Sequence, residues 1–144
     1  MTAETRLVVC PDCRAINRIQ TGRESEATCG KCKAKVFQPV ALELVGPTFD
    51  RHIAKNEIPV LVDFYSPTCA PCLMMGPQFE DAAKQLHPAA RLGKIDTTAE
   101  QAIATRFNIS SVPTMIIFKG GKEVARQSGS LLAAEITAWV KQYV

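Results

Sequence analysis

From Val40 onward the chain alternates between short apolar runs and amphipathic stretches. Pro59 to Tyr65, PVLVDFY, is almost continuously β-branched or aromatic, which is how a strand buried on both sheet faces reads. Arg91 to Asp96 reads as a second strand. Thr114 to Lys119 and Glu123 to Gln127 flank Gly120-Gly121, a hairpin-turn dipeptide. Helical spacing of apolar positions predicts helices over Thr48 to Lys55, Cys69 to Leu86, Ala99 to Phe107 and Leu132 to Tyr143. Thr48 is the expected cap of the first, with Phe49, Ile53 and Ala54 facing inward. Pro77 lies inside the second and is expected to kink it, because proline removes a backbone donor. The order is βαβ, then a β-hairpin, then a closing helix. It predicts an α/β fold with a central mixed sheet and helices on both faces.

The N-terminal segment is different. To about Gln38 it is rich in charge, Gly, Cys and Lys, and its large apolar residues are Leu7, Val8, Val9, Ile16, Ile19, Val36 and Phe37. Roughly 38 residues of this kind cannot bury enough surface to fold unaided, and a metal is the simplest remedy. Pro39 begins the connector. The expected division is therefore a small metal-held domain over 1–38 and a larger domain over 39–144.

Composition narrows the function classes. The hydrophobic share of the 144 residues is 47%, enough for a packed core. The formal charge of +3, without an arginine-rich stripe and interleaved aromatics, argues against nucleic-acid binding. No apolar run approaches the length needed to cross a bilayer. Met1 to Arg6 is mixed and polar, unlike a secretory signal. The expectation is a cytoplasmic monomer with no membrane partner. Thiols stay reduced in that compartment, so the six cysteines point to metal binding and redox catalysis rather than a disulfide framework.

All six cysteines fall in Cys-x-x-Cys pairs. Cys10, Cys13, Cys29 and Cys32 form two knuckles spaced C-x₂-C-x₁₅-C-x₂-C, which suits one tetrahedral zinc, with iron as the other metal that accepts four thiolates. Four sulfurs close the coordination shell, so the role is structural. Gly30 is expected to serve a tight turn in the second knuckle. His52 and His87 lie outside the segment and are expected at or near the surface. Because thiolates are nucleophiles as well as ligands, oxidation of the knuckles that expels the metal is a further possibility.

The third pair, Cys69-Ala70-Pro71-Cys72, follows the apolar strand directly. Cys69 is expected as the first residue of a helix, where unpaired N–H groups and the helix dipole favour an anion and so the attacking thiolate. Cys72 lies one turn further in and is placed to close a disulfide. The expected chemistry is thiol–disulfide exchange through a mixed disulfide. Asp63 stands in the middle of the apolar strand, and a buried carboxylate is costly unless partnered or functional.

Several motifs in order carry a family resemblance. They are Val60-Leu61-Val62-Asp63-Phe64, the Cys69 pair, Met74-Met75-Gly76-Pro77, Lys94-Ile95-Asp96, Ser111-Val112-Pro113-Thr114, Phe118-Lys119-Gly120-Gly121, and Gly129 before the last helix. From Val40 to Val144 the chain resembles a thioredoxin. With the four-cysteine segment in front, the whole resembles the zinc-ribbon thioredoxins found as a second thioredoxin in many bacteria. The resemblance implies a thioredoxin fold behind an N-terminal zinc ribbon, and a protein-disulfide reductase active in redox homeostasis and the oxidative stress response. Its partners would be thioredoxin reductase and disulfide-containing proteins, with no organic cofactor. Cys69 would be the nucleophile, Cys72 the resolving thiol and Asp63 its proton acceptor. Lys94 would be the charge partner of Asp63 across neighbouring strands, or else a surface lysine. Thr68, Ala70, Pro71, Val112, Pro113 and Gly129 would line the substrate groove, with Val112-Pro113 at the family's cis-proline position. The chain departs from the family's Trp-Cys-Gly-Pro-Cys: Tyr65 and Thr68 stand at its two tryptophan positions and Ala70 at its glycine. The sole tryptophan, Trp139, is expected in the core. Other functions open to such a chain are a zinc-dependent sensing, docking or holdase module, and an oxidase or isomerase with altered specificity.

Overall fold

The computed structural model describes residues 4–144, so the first three residues of the polar Met1 to Arg6 start lie outside the described residues. Behind the N-terminal segment, five strands form one sheet: β3 (Leu42–Glu43), β4 (Val60–Tyr65), β5 (Arg91–Asp96), β6 (Thr114–Lys119) and β7 (Lys122–Ser128), in the order β3-β5-β4-β6-β7. The first three run parallel, β6 runs antiparallel to β4, and β7 runs antiparallel to β6. α1 (Gly46–Lys55) and α3 (Gln101–Arg106) cover one face; α2 (Ala70–Leu86) and α4 (Ala133–Lys141) cover the other. This is the thioredoxin fold.

Strand β4 lies at the centre, and its side chains alternate between two cores. Val60, Val62 and Phe64 pack with Phe49, Ile53 and Ile103. Leu61 packs with Met75, Phe79, Ile136 and Trp139 on the opposite face. Period two therefore places Asp63 on the α2 side. Gly93 on β5 sits so close to Leu44 that a Cβ would meet its Cδ1 at 2.6 Å and push that side chain aside. The β6–β7 turn uses Gly120 and Gly121 at φ 59° and 81°, as a two-residue hairpin demands.

Helix ends differ from the sequence expectation. α1 begins at Gly46, and Thr48 lies inside its first turn, where its hydroxyl bonds both the N–H and the carbonyl of Val45. Ala54 is exposed, and the inward position falls to His52, which is buried rather than near the surface. Cys69 caps α2 instead of opening it, and the helix continues through Pro77 to Leu86.

The N-terminal segment contains an antiparallel hairpin, β1 (Thr5–Val9) and β2 (Ile16–Gln20), with the first knuckle as its loop. A single bridge, Thr28 to Lys35, flanks the second knuckle. Val8, Ile19, Val36 and Phe37 form a third apolar cluster, completed by Ile58 from the loop before β4. The outer edge of β1 is covered by that loop: Glu57 N–H donates to Leu7 O at 2.8 Å, and Val9 N–H donates to Asn56 Oδ1 at 2.8 Å. Asn56 in turn bonds the His52 carbonyl and faces its Nδ1. Burial, then the Arg91 and Arg14 charges, hold the His52 imidazole neutral, with its pKa pushed down to about 3.

Arg91 secures the junction. It opens β5, is 4% exposed, and its Nη2 donates to Val9 O at 2.9 Å and to Val36 O at 3.0 Å. One guanidinium thus ties two stretches of the N-terminal segment to the central sheet, with its Cζ 6.0 Å from the centre of the Phe37 ring. Truncating it strands two buried carbonyls. Arg91→Ala is expected to lose about 3 kcal/mol of stability in urea unfolding, together with hydrogen-exchange protection across β1. A loss under about 0.5 kcal/mol would show that the segment holds itself in place.

Candidate functional site

The four N-terminal cysteines converge. Their Sγ atoms all lie within 4.8 Å of one another, with Cys10 to Cys32 at 3.6 Å and Cys13 to Cys29 at 3.5 Å. A tetrahedral site with metal–sulfur bonds of about 2.3 Å has sulfurs about 3.8 Å apart, so the four sulfurs are close enough to hold one metal ion. The two knuckles are built alike. In each, the first cysteine's carbonyl accepts from the fourth residue on, Arg14 or Lys33, both at 3.0 Å. Those two residues take φ values of 65° and 69°. The left-handed position is therefore Lys33, not Gly30, whose φ is not positive. Asn17 ties β2 to the second knuckle: its Oδ1 accepts from Gly30 N–H at 2.9 Å and its Nδ2 lies 3.5 Å from Cys29 Sγ.

The third pair sits where β4 hands over to α2. Cys69 Sγ accepts from the Cys72 N–H at 3.2 Å, in the N-cap position that favours an anion. It is partly exposed, whereas Cys72 is 5% exposed. Burial, and then the neighbouring Cys69 sulfur, push the Cys72 thiol up to about 12. The pair is therefore divided into an accessible sulfur at the helix start and a protonated thiol behind it. The Val112–Pro113 peptide is cis, and the Val112 carbonyl lies 3.6 Å from Cys69 Sγ. Pro113 O accepts from the N–H of Gly129, which has φ 95°. Thr68, Ala70 and Pro71 flank Cys69 in the chain, with Thr68 and Pro71 exposed. The structure thus gathers all six expected groove residues near the third pair.

Behind Cys72, Asp63 is 4% exposed and its Oδ1 has no hydrogen-bond partner among the described residues. Burial pushes its carboxyl up to about 7; Lys94 opposes that shift and Glu43 adds to it. Asp63 and Lys94 are register partners across β4 and β5. Asp63, Cys72 and Lys94 line one cavity of about 140 Å³, room for a few water molecules. A carboxyl near neutrality and a high-pKa thiol lining one cavity are suited to exchanging a proton. A larger cavity of about 290 Å³ at the N-terminal junction, between Phe37, Ile58 and Pro88, shares no residue with this site.

Sequence reasoning missed Glu43, which accepts from the Tyr65 hydroxyl at 2.7 Å. It also missed the exposure of Leu73 and Met74, 65% and 73%, on the turn after the cysteines. The signal for the latter was an apolar pair beside a reactive one; for Glu43 there was none before the register was known. Trp139 lies in the core, as expected.

Comparison with known proteins agrees with this geometry. The thioredoxin family model matches residues 40–142. A thioredoxin C-3 from Corynebacterium nephridii is 35% identical over 137 residues, covering 94% of each chain, a span that takes in the N-terminal segment. Thioredoxin 1 of a Nostoc species is 30% identical over 104 residues, covering 72% of this chain and 97% of its own. Among solved structures, a mutant thioredoxin from Halobacterium salinarum superposes with a TM-score of 0.67 at 29% identity, covering 73% of this chain and 91% of that one.

The Asp63 carboxyl carries a pH-dependent consequence. Its folded pKa lies above the unfolded value of 3.8, so the neutral acid favours the fold below about pH 4. That advantage is lost as pH rises through about 7. Asp63→Ala is therefore expected to gain stability over the wild type on going from about pH 4 to about pH 9, by on the order of 3–4 kcal/mol. Urea unfolding of both proteins across that range checks it, and a constant difference would contradict the burial of an ionisable Asp63.

Proposed function

The chain belongs to the thioredoxin family and is a thiol–disulfide oxidoreductase, and from that premise we propose that it works as a protein-disulfide reductase through Cys69 and Cys72. The observation that carries this is the division of the pair into a partly exposed helix-cap sulfur and a buried thiol that shares a cavity with Asp63. The Cys69 thiolate attacks one sulfur of a substrate disulfide and expels the other as a thiolate, leaving a mixed disulfide. The Cys72 thiol then gives its proton to the Asp63 carboxylate and attacks Cys69 Sγ. The second substrate sulfur leaves as a thiolate, and Cys69–Cys72 becomes the disulfide. Two electrons have passed to the substrate. The Val112 carbonyl beside Cys69 offers an extended substrate a backbone partner, and Gly129 leaves room for it. Thr68 and Ala70 make that rim small and neutral, and Leu73 and Met74 extend it with apolar surface.

In this reading the chain divides at residues 38 and 39, and Cys10, Cys13, Cys29 and Cys32 hold one structural zinc ion, making a ribbon. The convergence of the four sulfurs supports it. Zinc supplies no step of the reaction; bound, it links the two knuckles. Thioredoxins are typically recharged by a thioredoxin reductase, and we assign the same donor here, with disulfide-bearing proteins as substrates. We place the protein in the cytoplasm, in redox homeostasis and the response to oxidants. Among the described residues no helix is long and apolar enough to cross a membrane.

Insulin reduction coupled to NADPH and a bacterial thioredoxin reductase tests the reading. Wild type should turn over, Cys69→Ser should fall to background, and Cys72→Ser should accumulate a mixed disulfide with insulin. A docking or holdase module would give no thiol-dependent adduct. Metal analysis should find one zinc per chain. Replacing Cys29 with Ser should abolish that stoichiometry and melt β1 and β2, while residues 40–142 keep their fold. Equal zinc content in the variant would rule out the four-sulfur site.

A further inference from the structure

Strand register brings a second carboxylate to the Asp63 site. β3 pairs with β5 so that Glu43 lies beside Lys94, and β4 pairs with β5 so that Asp63 lies beside the same Lys94. Glu43, Lys94 and Asp63 therefore form one row across three strands, and side chains in one row share a face. One lysine position stands between two acidic ones in the register. Their environments differ: Asp63 is buried under α2, whereas Glu43 is exposed on the edge strand.

Glu43 is also held. Tyr65 lies two residues beyond Asp63 on the same strand and so on the same face. Its hydroxyl reaches across β5 to donate to Glu43 Oε1 at 2.7 Å. Burial, followed by the Glu43 carboxylate, raises the phenol's pKa, so it remains a donor. The other groups facing Asp63 are Cys72 from α2, with Cys69 at the helix cap, and the apolar Met115 opposite on β6. Asp96 stands beside Tyr65 as its register partner on β5.

We infer that Glu43 is a positioning residue for the exchange reaction: its carboxylate, fixed by the Tyr65 hydroxyl, shares the Lys94 charge with Asp63 and so sets the pH at which Asp63 changes protonation. Burial outweighs the Lys94 charge, which pulls Asp63 toward its ionised form and weakens it as an acceptor for the Cys72 proton. Glu43 offsets that pull. It lies two strand spacings from Asp63, roughly 10 Å, which is close enough for a carboxylate at a sheet edge to act through partly buried surroundings. Tyr65 thereby gains a role through its hydroxyl. The inference deepens the proposed reductase mechanism and rests on Asp63 as proton acceptor.

The test is Glu43→Gln, which keeps an acceptor for Tyr65 and removes the charge. Asp63 is titrated directly in the oxidised protein by the ¹³C shift of its carboxyl carbon, and insulin reduction is measured against pH. The Asp63 midpoint should fall by roughly half a unit to one unit. The acid limb of the rate profile should move the same way. Glu43→Asp should restore the wild-type midpoint. Asp81→Asn, which removes an equal charge from the exposed side of α2, should leave it in place. Glu43→Ala is a second neutral variant and must shift the midpoint in the same direction. An Asp63 midpoint that stays put in both neutral variants, or moves upward, overturns the inference. A midpoint that falls while the rate profile stays fixed upholds the coupling and removes Asp63 from the role of base.

Discussion

The structure depends on a central strand covered on both faces. β4 has neighbours on either side and helices above and below, so every position along it must be apolar or carry a reason not to be. Asp63 is the exception, and its carboxyl approaches neutrality because burial outweighs the pull of Lys94. The same strand ends at the Cys69 loop, so the buried carboxylate and Cys72 line one cavity. Geometry that would be a defect elsewhere here supplies a group able to change protonation near neutral pH beside a thiol that must lose its proton.

The N-terminal segment solves another problem. Its strands are short and its cluster small, and two constraints from outside hairpin pairing hold it: the convergence of four sulfurs, and the buried Arg91 that bonds Val9 and Val36. Arg91 and Lys94 occupy the same strand three residues apart, one serving the ribbon junction and the other the redox site. β5 thus connects the two cysteine chemistries through a rigid element in the middle of the fold.

Much of this was legible before any coordinates. Arg91–Asp96 and Thr114–Lys119 coincide with runs visible in the sequence, and so does the Gly120-Gly121 turn, because buried strands and two-residue hairpins leave local signatures. The cysteine spacing alone separated the four sulfurs that converge from the pair at the start of α2. What escaped is non-local. β1 and β2 were not anticipated as strands, because each is only partly buried and carries no clean alternation. Arg91 is 82 positions from the Val9 carbonyl it bonds, and Glu43 is 22 from Tyr65, so neither pairing shows until the register is known. Thr48 and Ala54 were misplaced for a related reason. α1 begins two residues earlier than its cap chemistry suggested, and packing against the ribbon draws His52 inward.

The central claim is that one chain keeps two kinds of cysteine apart, with Cys69 as the sole ready nucleophile. Timed alkylation of the reduced, metal-loaded protein at neutral pH, with each adduct mapped by mass spectrometry, tests it most directly. The account predicts a single fast adduct on Cys69, a slow one on Cys72, and protection of Cys10, Cys13, Cys29 and Cys32 until the metal is chelated. Fast labelling of Cys72 or of any ribbon cysteine ahead of Cys69 would contradict it.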